Sequence, residues 1–456
     1  MSTTDTIVAL STPPGRSGIG VIRLSGARSL ELTRALVCDE HFTPASHHAT
    51  LKTIYDTESL DALDRALVTY FKAPRSFTGE DVVELSCHGS PTLLLHVVDA
   101  LLHLGARAAD AGEFTLRALS NGRLSLSQAE AVRDLIDAQT DAAVRQAARQ
   151  LGGELAARLQ PVKDSLVEII VPLESSLEFV EDDLPPDVTH RVAALLSHLT
   201  EQLEQLVATF RTGRLLREGL KVTLAGRPNV GKSSVFNGLL SFERAIVTEL
   251  PGTTRDSLSE LTSIEGIPVL LTDTAGVRDA QDRIEQLGIE RTQRAIVDAD
   301  LVVVVLDGSQ PLNDEDKRVL AETAPRRHVV ALNKSDLENF DAAVVSIPSN
   351  GTRVVAISAK TGAGLKDLAT AILEPFTSAR ETHETGFLIT NARHYDLLRR
   401  TVASLRDSEK LLRERASEEL LLVGLYDALR FLGEITGETT PDDVLSQIFA
   451  TFCIGK

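Results

Sequence analysis

A glycine-rich turn constrains this chain more than any other feature of its sequence. The segment LKVTLAGRPNVGKSSVFNGLL has the spacing Gly226-x-x-x-x-Gly231-Lys232-Ser233, between an apolar run and a helical pattern. In such a turn the glycines let backbone N–H groups wrap phosphate oxygens, the lysine meets the outer phosphates and the hydroxyl ligates Mg²⁺. The spacing therefore predicts a strand, a phosphate-binding loop and a helix within an α/β domain.

Three later motifs indicate which nucleotide this domain binds. VLLTDTAG ends an apolar run with Asp273 and Gly276, an acid suited to the metal and a glycine suited to the γ-phosphate. NKSD supplies Asp336, whose carboxylate can accept paired hydrogen bonds from the N1–H and 2-amino groups of guanine, a donor pair that adenine lacks. SAK, residues 358–360, fits a backbone contact to the base oxygen. In this order the motifs resemble those of the translation-factor-related GTPases.

These motifs leave the catalytic group open. Many GTPases orient water with a glutamine directly after the DxxG glycine, where this chain has Val277. One alternative is a monovalent cation near the phosphates, for which Asn229 offers a side-chain carbonyl and residues 248–253 offer backbone carbonyls. The other is a carboxylate from the loop after Gly276. The acids of that loop are Asp279, Asp282, Glu285 and Glu290. Spacing does not choose among them, and for each one a solvated helix face is the competing interpretation.

Composition limits the classes of function. A chain of 456 residues suggests about three domains. Its 47 Lys and Arg against 65 Asp and Glu give a formal net charge of -18, which argues against a broad basic surface for nucleic acid. Cys38, Cys87 and Cys453 are too few and too scattered for a disulfide framework or a zinc site. The start lacks a basic signal-peptide region and no apolar run approaches about 18 residues, so we expect a cytoplasmic protein.

The composition and the apolar periodicity of the sequence change along the chain. Segments with strand character are 21–26, 65–71 and 82–87. A helical pattern then begins at Pro91 and ends at a glycine cap, Gly105. Residues 128–215 have the composition of long helices, 221–373 alternate between strand and helix, and 394–456 return to helical texture. This order predicts an α/β domain inserted into one helical domain, and four consecutive domains are the alternative.

The C-terminal TFCIGK raises a separate question. Apolar residues before and within it form one helical stripe: Val444, Leu445, Ile448, Phe449 and Phe452. The stripe predicts that the last helix packs against the protein, so that Cys453 is held near a fixed place. The thiolate of Cys453 is a candidate nucleophile, and a small buried apolar side chain is the alternative.

Motifs from both ends and the middle of the chain point to one family. GRPNVGKSS, PGTTRD, DTAGVR, NKSD, TPPGRSGIGVIRLSG, SFTGEDVVEL and FCIGK together resemble the bacterial tRNA modification GTPase family MnmE, also called TrmE. The resemblance covers essentially the whole chain and implies a multidomain fold. Residues 1–120 would form an α+β N-terminal folate-binding and dimerisation domain. Residues 121–217 and 377–456 would form an all-α helical domain with a C-terminal CIGK tail, interrupted at 218–376 by a Ras-like α/β P-loop GTPase domain.

The resemblance implies a potassium-stimulated GTPase that works in a heterotetramer with an FAD-binding partner protein of the MnmG (GidA) type. Together they would add an aminomethyl or carboxymethylaminomethyl group to carbon 5 of the wobble uridine of tRNA. The one-carbon unit would come from 5-formyltetrahydrofolate or 5,10-methylenetetrahydrofolate. The protein would be a homodimer through its N-terminal domain, and its GTPase domains would dimerise when GTP binds. The alternative is a regulatory or ribosome-assembly GTPase with no folate chemistry.

The resemblance also assigns individual residues. The implied potassium ligands are Asn229, Thr248, Leu250 by its backbone carbonyl, and Thr253. The implied magnesium ligands are Ser233 and Thr254; for Thr254 a polar surface loop is the alternative. Glu285 falls on the water-orienting glutamate. The implied folate contacts are Arg23, Glu80, Lys456 and Arg123, the last standing where lysine is usual, so that the charge is kept but the shape of the head group changes. The predicted GTP contacts are Asn229, Val230, Gly231, Lys232, Ser233, Ser234, Thr248, Thr253, Thr254, Asp273, Thr274, Ala275, Gly276, Asn333, Lys334, Asp336, Ser358, Ala359 and Lys360.

Overall fold

The structure is a computed structural model, and its residues fall into two compact units. It describes residues 5–178, 186–241, 258–273, 295–344, 352–376, 386–438, 445 and 448–455. The first unit contains Met1–Arg133, Gln150–Pro161 and Leu429–Lys456, and the second contains Asp134–Arg149 and Val162–Ala428. The domain boundaries expected from the sequence stay predictions.

A mixed six-stranded sheet forms the centre of the first unit. Its strands are β1 (Ile7–Leu10), β2 (Ile19–Ser25), β3 (Ala49–Tyr55), β4 (Ala62–Phe71), β5 (Val82–His88) and β6 (Arg107–Ala108). They lie in the order β3-β4-β5-β2-β1-β6, antiparallel except for the β1–β6 pair. Along β2, Ile22 and Leu24 are fully buried, so the alternation of a strand turns Arg23 to the opposite face. The three strands predicted in this region are confirmed.

Helices make up most of the rest of the described chain. They are α1 (Ser29–Leu36), α2 (Pro91–His103), α3 (Glu113–Ser120), α4 (Leu126–Asp137), α5 (Asp141–Leu151), α6 (Glu154–Glu178), α7 (Pro186–Ala208), α8 (Phe210–Glu218), α9 (Lys232–Leu240), α10 (Asp314–Thr323), α11 (Leu365–Leu373), α12 (Ala392–Arg413) and α13 (Glu418–Thr436), with a 3-10 turn at Ala342–Val344. The helix predicted from Pro91 is confirmed, and Gly105 follows it with a φ of 102°. Within the described ranges, no helix combines the length and apolarity that a bilayer crossing requires.

The second unit contains a second six-stranded sheet. Its strands are β7 (Leu220–Ala225), β8 (Leu258–Ile264), β9 (Ile267–Asp273), β10 (Leu301–Asp307), β11 (His328–Asn333) and β12 (Arg353–Ala356). The order is β12-β11-β10-β7-β9-β8, parallel except for the antiparallel edge strand β8. Every residue of β10 is buried, as expected for a central parallel strand covered on both faces. The parallel strands therefore bring their carboxyl ends, and the loops that follow, to one edge of the sheet.

The C-terminal stripe packs within the first unit. Phe449 and Phe452 are buried in one cluster with Leu126 and Ala129 of α4. Leu445 and Ile448 pack against the same cluster, whereas Val444 lies outside the described residues. The predicted packing of this stripe is confirmed for its four described members.

Phe449→Ala is expected to weaken this anchor. Phe449 is 3% exposed, and removing a buried aromatic ring costs about 3–5 kcal/mol of unfolding free energy. Hydrogen exchange of the amides in α4 and the C-terminal segment measures the loss as faster exchange. Leu60→Ala is the matched control, because Leu60 lies in the same unit and is 65% exposed. Equal protection in the two variants would contradict the packing role of Phe449.

Candidate functional site

The loop between β7 and α9 has the backbone geometry that a phosphate-binding loop needs. The φ angles of Gly226, Asn229 and Gly231 are 153°, 65° and 95°. A Cβ on Gly226 would lie 2.4 Å from the carbonyl oxygen of Val305, and one on Gly231 would lie 2.4 Å from Nδ2 of Asn333. Both glycines are therefore required by conformation and by space. The loop ends directly at the N-terminus of α9, where backbone N–H groups favour anions.

Lys232 and Ser233 open α9 with their functional groups inside the site. The Lys232 ammonium donates to the carbonyl oxygens of Gly226 at 2.9 Å and Arg227 at 2.8 Å. The Ser233 hydroxyl donates to Oδ2 of Asp273 at 2.8 Å, and Asp273 is 1% exposed. A hydroxyl and a carboxylate oxygen are hard ligands of the kind that Mg²⁺ takes. Along the same loop Val230 is buried, and on α9 Ser234 is exposed.

Asn333 joins the loop after β11 to two neighbouring loops. Its amide Nδ2 donates to the carbonyl oxygen of Val230 at 2.9 Å, and its Oδ1 accepts from the backbone N–H of Ala359 at 3.0 Å. The NKSD and SAK motifs and the phosphate loop are thus brought together at the carboxyl edge of the sheet.

Asp336 presents a carboxylate at the same edge. Its Oδ1 accepts a hydrogen bond from the Ser358 hydroxyl at 2.7 Å. This bond holds the pKa of Asp336 below its usual value, with a smaller contribution from the charge of Lys360. Because Asp336 is exposed, its ionised carboxylate is accessible to the donors of a purine base.

Asp307 is a member of this site that sequence reasoning missed. It ends β10, and its Oδ2 accepts from the Lys334 ammonium at 2.6 Å. Burial alone would raise the pKa of Asp307, but hydrogen bonds from Lys334 and Ser309 outweigh it and hold the pKa below its usual value. The available signal was a single acid closing the apolar run LVVVVLD, immediately upstream of a loop at the carboxyl edge.

Several predicted site residues lie outside the described residues. They are Thr248, Leu250, Thr253, Thr254, Thr274, Ala275, Gly276, Glu285 and Lys456. Their roles stay predictions.

A second candidate site surrounds Arg23 in the first unit. The Arg23 guanidinium makes two hydrogen bonds to Oε1 of Glu84, at 2.9 and 2.7 Å. It also donates to the carbonyl oxygen of Gly455 at 3.3 Å. The rings of Phe77 and Phe114 each lie with their centroid 5.7 Å from the Arg23 guanidinium carbon. Arg23 therefore contacts the C-terminal tail directly.

Glu80 is held close to the strand that carries Arg23. Its Oε2 accepts from the Ser25 hydroxyl at 2.7 Å, and Ser25 lies two residues after Arg23 and hence on the same face of β2. The Arg117 guanidinium donates to both oxygens of Glu80, at 3.3 and 3.1 Å. Sequence reasoning did not single out Arg117. Its side chain is 3% exposed and also pairs with Glu113 and Asp5.

Arg123 lies beside the same segment. A Cβ on Gly79 would lie 3.3 Å from Cγ of Arg123, so the stem of this arginine runs beside the residue that precedes Glu80. Three of the four predicted folate contacts thus lie on β2 or at the 76–80 loop: Arg23 on β2, Glu80 in the loop and Arg123 beside Gly79.

The C-terminal tail is attached through its backbone. Ile454 forms an antiparallel bridge with Ala111, and the Ser11 hydroxyl donates to the carbonyl oxygen of Gly455 at 3.2 Å. The φ of Gly455 is 95°, and a Cβ there would lie 2.5 Å from the carbonyl oxygen of Leu10, so only glycine fits. Cys453 is exposed, and the alternative of a buried, packed cysteine is therefore wrong.

Comparisons with known proteins cover nearly the whole chain. A family model described as GTP-binding protein TrmE N-terminus matches residues 6–123, and one described as MnmE helical domain matches residues 126–453. The tRNA modification GTPase MnmE of Koribacter versatilis is 45% identical over 460 residues, covering 100% of both chains. That of Aquifex aeolicus is 40% identical over 457 residues, covering 99% of both. The solved G domain of the T. maritima FeoB iron transporter is 27% identical, covers 34% of this chain and 97% of its own, and has a TM-score of 0.25.

The chain combines a Ras-like α/β domain that carries a phosphate loop with an α+β N-terminal domain and an all-α domain. This combination defines a multidomain P-loop GTPase. The chain belongs to the MnmE family of tRNA modification GTPases. It is therefore a GTP hydrolase that acts in tRNA modification, and the fold class expected from the sequence is confirmed.

Asp336→Asn is expected to lower GTP affinity about 100-fold, because paired hydrogen bonds to a charged group contribute about 3 kcal/mol together. Xanthine carries an oxygen where guanine carries its 2-amino group, so the asparagine amide can donate to xanthosine triphosphate and the variant should prefer it. Equilibrium binding of both nucleotides measures the exchange of preference. Asp314→Asn is the control, because that carboxylate is exposed and pairs only with Lys317 among the contacts described. Unchanged GTP affinity in Asp336→Asn would remove Asp336 from the base-binding site.

Proposed function

We propose that this GTPase, with an FAD-dependent partner protein, installs the aminomethyl or carboxymethylaminomethyl group on the wobble uridine of tRNAs, using a tetrahydrofolate one-carbon unit. The observation that carries the proposal is the attachment of the C-terminal tail to Arg23 of β2, the strand whose Ser25 donates to the partly buried carboxylate of Glu80. This arrangement assembles cations, a carboxylate, aromatic rings and an exposed thiol in one unit.

The chemistry around Glu80 suits a pterin. The 2-amino-4-oxo edge of a pterin presents neighbouring N–H donors that a carboxylate can accept in pairs. A carboxylate has about four acceptor positions. The hydrogen bonds from Ser25 and Arg117 fix the orientation of Glu80. Two of these bonds end on Oε2 and one on Oε1, so Oε1 keeps a free acceptor position.

The chemistry around Arg23 suits the rest of a folate. Phe77 is 37% exposed and offers a ring face beside the Arg23 guanidinium. In the proposal Arg23, Arg123 and Lys456 supply cations for the negatively charged glutamate tail of the folate. Cys453 is an exposed residue of the anchored tail, and it is the proposed nucleophile of the modification site.

The proposed GTPase centre uses the loop geometry of the second unit. Ser233 and Thr254 would hold Mg²⁺, while Asn229, Thr248, Thr253 and the carbonyl of Leu250 would hold K⁺. When bound, these cations offset the negative charge that develops on the phosphates during hydrolysis. Ser233 supports this assignment because its hydroxyl already lies 2.8 Å from the Asp273 carboxylate. In the proposal Glu285 orients the attacking water.

The proposed assembly is a homodimer through the N-terminal domain, whose GTPase domains also dimerise on GTP binding. Its further partners are an FAD-binding protein of the MnmG (GidA) type, in a heterotetramer, and tRNA. The formal net charge of -18 argues against a broad tRNA-binding surface, because an acidic surface repels the phosphate backbone. In the proposal tRNA is therefore contacted through a local patch or through the partner. The proposed location is the cytoplasm.

Replacing sodium by potassium is expected to raise GTP turnover of the wild-type protein, and Asn229→Ala is expected to remove most of that difference. Glu285→Ala should keep GTP binding and lose turnover. Steady-state phosphate release in matched sodium and potassium buffers measures both effects. Asn237→Ala is the control, an exposed asparagine on α9 that should respond to potassium as the wild type does. Equal wild-type rates in the two salts would sink the cation mechanism.

Cells lacking this protein are expected to lose the modified wobble uridines, and the wild-type gene should restore them. Glu80→Gln and Cys453→Ser should fail to restore them while keeping GTP hydrolysis, since both residues lie in the first unit. Mass spectrometry of wobble nucleosides is the measurement. The controls are Glu58→Gln, an exposed carboxylate of the same unit, and Cys38→Ser, the other exposed cysteine among the described residues.

Each variant separates one part of the proposal. Binding of 5-formyltetrahydrofolate by the full chain should be lost in Glu80→Gln and kept in Cys453→Ser. Full restoration by both variants, with no folate binding by the wild type, would favour a regulatory or assembly GTPase.

A further inference from the structure

A buried acid lies between the two loops that the nucleotide site depends on. The Asp307 side chain is 2% exposed and stands at the carboxyl end of β10. Its Oδ2 accepts from the Lys334 ammonium at 2.6 Å and lies 4.0 Å from the Arg227 guanidinium. Lys334 belongs to the loop after β11 and Arg227 to the phosphate loop. One carboxylate therefore faces a cation from each loop.

Asp307 is itself fixed by its own loop. Its Oδ1 accepts from the backbone N–H of Ser309 at 3.0 Å and from the Ser309 hydroxyl at 2.6 Å. The sheet register places Asp307 directly opposite Asn333, the residue before Lys334. Lys334 has a φ of 72°, a left-handed conformation that is unusual for a residue with a side chain. Its ion pair with Asp307 is therefore a constraint on a backbone turn that would otherwise be unfavourable.

Arg227 has a second, separate anchor. Its Nε lies 3.2 Å from both oxygens of Asp316, which is the third residue of α10 and caps that helix together with Asn313. The contact of Arg227 can thus be weakened by a substitution at Asp316, and the contact of Lys334 by a substitution at Asp307. The two contacts can therefore be tested separately.

We propose that Asp307 is a positioning residue for nucleotide binding. It holds Lys334 and thereby fixes the loop after β11, here called the base loop, relative to the phosphate loop. This rests on the prediction that Asn333, Lys334 and Asp336 contact GTP, with Asp336 binding the guanine base. Asp307 does not touch the nucleotide in this proposal; its effect passes through Lys334. Removing its charge leaves the Lys334 ammonium without the carboxylate that it pairs with, and the loop after β11 loses this constraint on its position.

The test is a double-mutant cycle on nucleotide dissociation. Asp307→Asn, Lys334→Met and the double variant are compared in the full chain, using GDP with a fluorescent ribose label. Each single variant is expected to release GDP about tenfold faster, which corresponds to losing one charged hydrogen bond. The double variant should be no faster than Lys334→Met, because Asp307 has no route to the nucleotide once Lys334 is gone.

Companion measurements distinguish positioning from general damage. Asp307→Asn should raise the KM for GTP while kcat at saturation stays near the wild-type value. Asp316→Asn weakens the anchor of Arg227 and the cap of α10, and none of the contacts described for Asp316 involves Lys334. Any acceleration of GDP release that it causes should therefore multiply with that of Lys334→Met in the double variant. Glu322→Gln is the surface control, since its exposed carboxylate pairs with Arg318 on α10. Should Asp307→Asn not fold, Ser309→Ala replaces it, with a smaller acceleration expected that also vanishes in the Lys334→Met background.

The outcomes separate this inference from the function on which it rests. The inference alone is overturned if Asp307→Asn releases GDP at the wild-type rate while Lys334→Met releases it faster. It is also overturned if the two accelerations multiply in the double variant, or if Asp307→Asn lowers kcat and leaves KM unchanged. A normal rate in Lys334→Met overturns the proposed assignment of the base loop itself.

Discussion

The nucleotide site depends on the hydrogen bonds that Asn333 makes in two directions. One amide side chain, 3% exposed, donates to the phosphate loop at Val230 and accepts from the loop after β12 at Ala359. A buried amide that loses either partner costs free energy, so the three loops are stable only in one mutual arrangement. Gly231 belongs to the same constraint, because a Cβ there would lie 2.4 Å from the Asn333 amide. The parallel sheet supplies the common edge, and Asn333 sets the spacing at that edge.

Charge pairing has a comparable role in the first unit. Arg117 is almost fully buried, and a buried guanidinium is stable only when carboxylates surround it. Glu113, Asp5 and Glu80 provide them, and Arg107 in turn pairs with Glu113 and Asp5. Burial would raise the pKa of Glu113, but hydrogen bonds from Arg107, the Asp110 N–H and Arg117 lower it instead. The contribution of this carboxylate to stability is present above its unfolded pKa and is lost as pH falls through its lower folded pKa. The same network orients Glu80.

Sequence patterns predicted individual elements of both units, and they contained no prediction of how the strands pair. The glycine spacing of the phosphate loop, the strands at 21–26, 65–71 and 82–87, and the packed C-terminal stripe all follow from local rules of backbone conformation and apolar periodicity. Sequence patterns did not identify Asp307 and Arg117 as site residues, and the reason is physical. An acid at the end of an apolar strand and an arginine on a short helix are ordinary surface residues until tertiary packing buries them. The exposure of Cys453, next to a buried phenylalanine, was likewise undecided by the pattern alone.

The sequence by itself determined the class of domain, the nucleotide motifs and the family, because these rest on residue spacing within short segments. Tertiary structure alone decided which distant groups meet. Lys334 reaches Asp307 across 27 positions because adjacent parallel strands end in register. Arg23 reaches the Gly455 carbonyl across 432 positions because the last apolar residues anchor the tail in the first unit. Such contacts depend on strand order and on the burial of remote side chains, and neither property can be read from the spacing of residues along the chain.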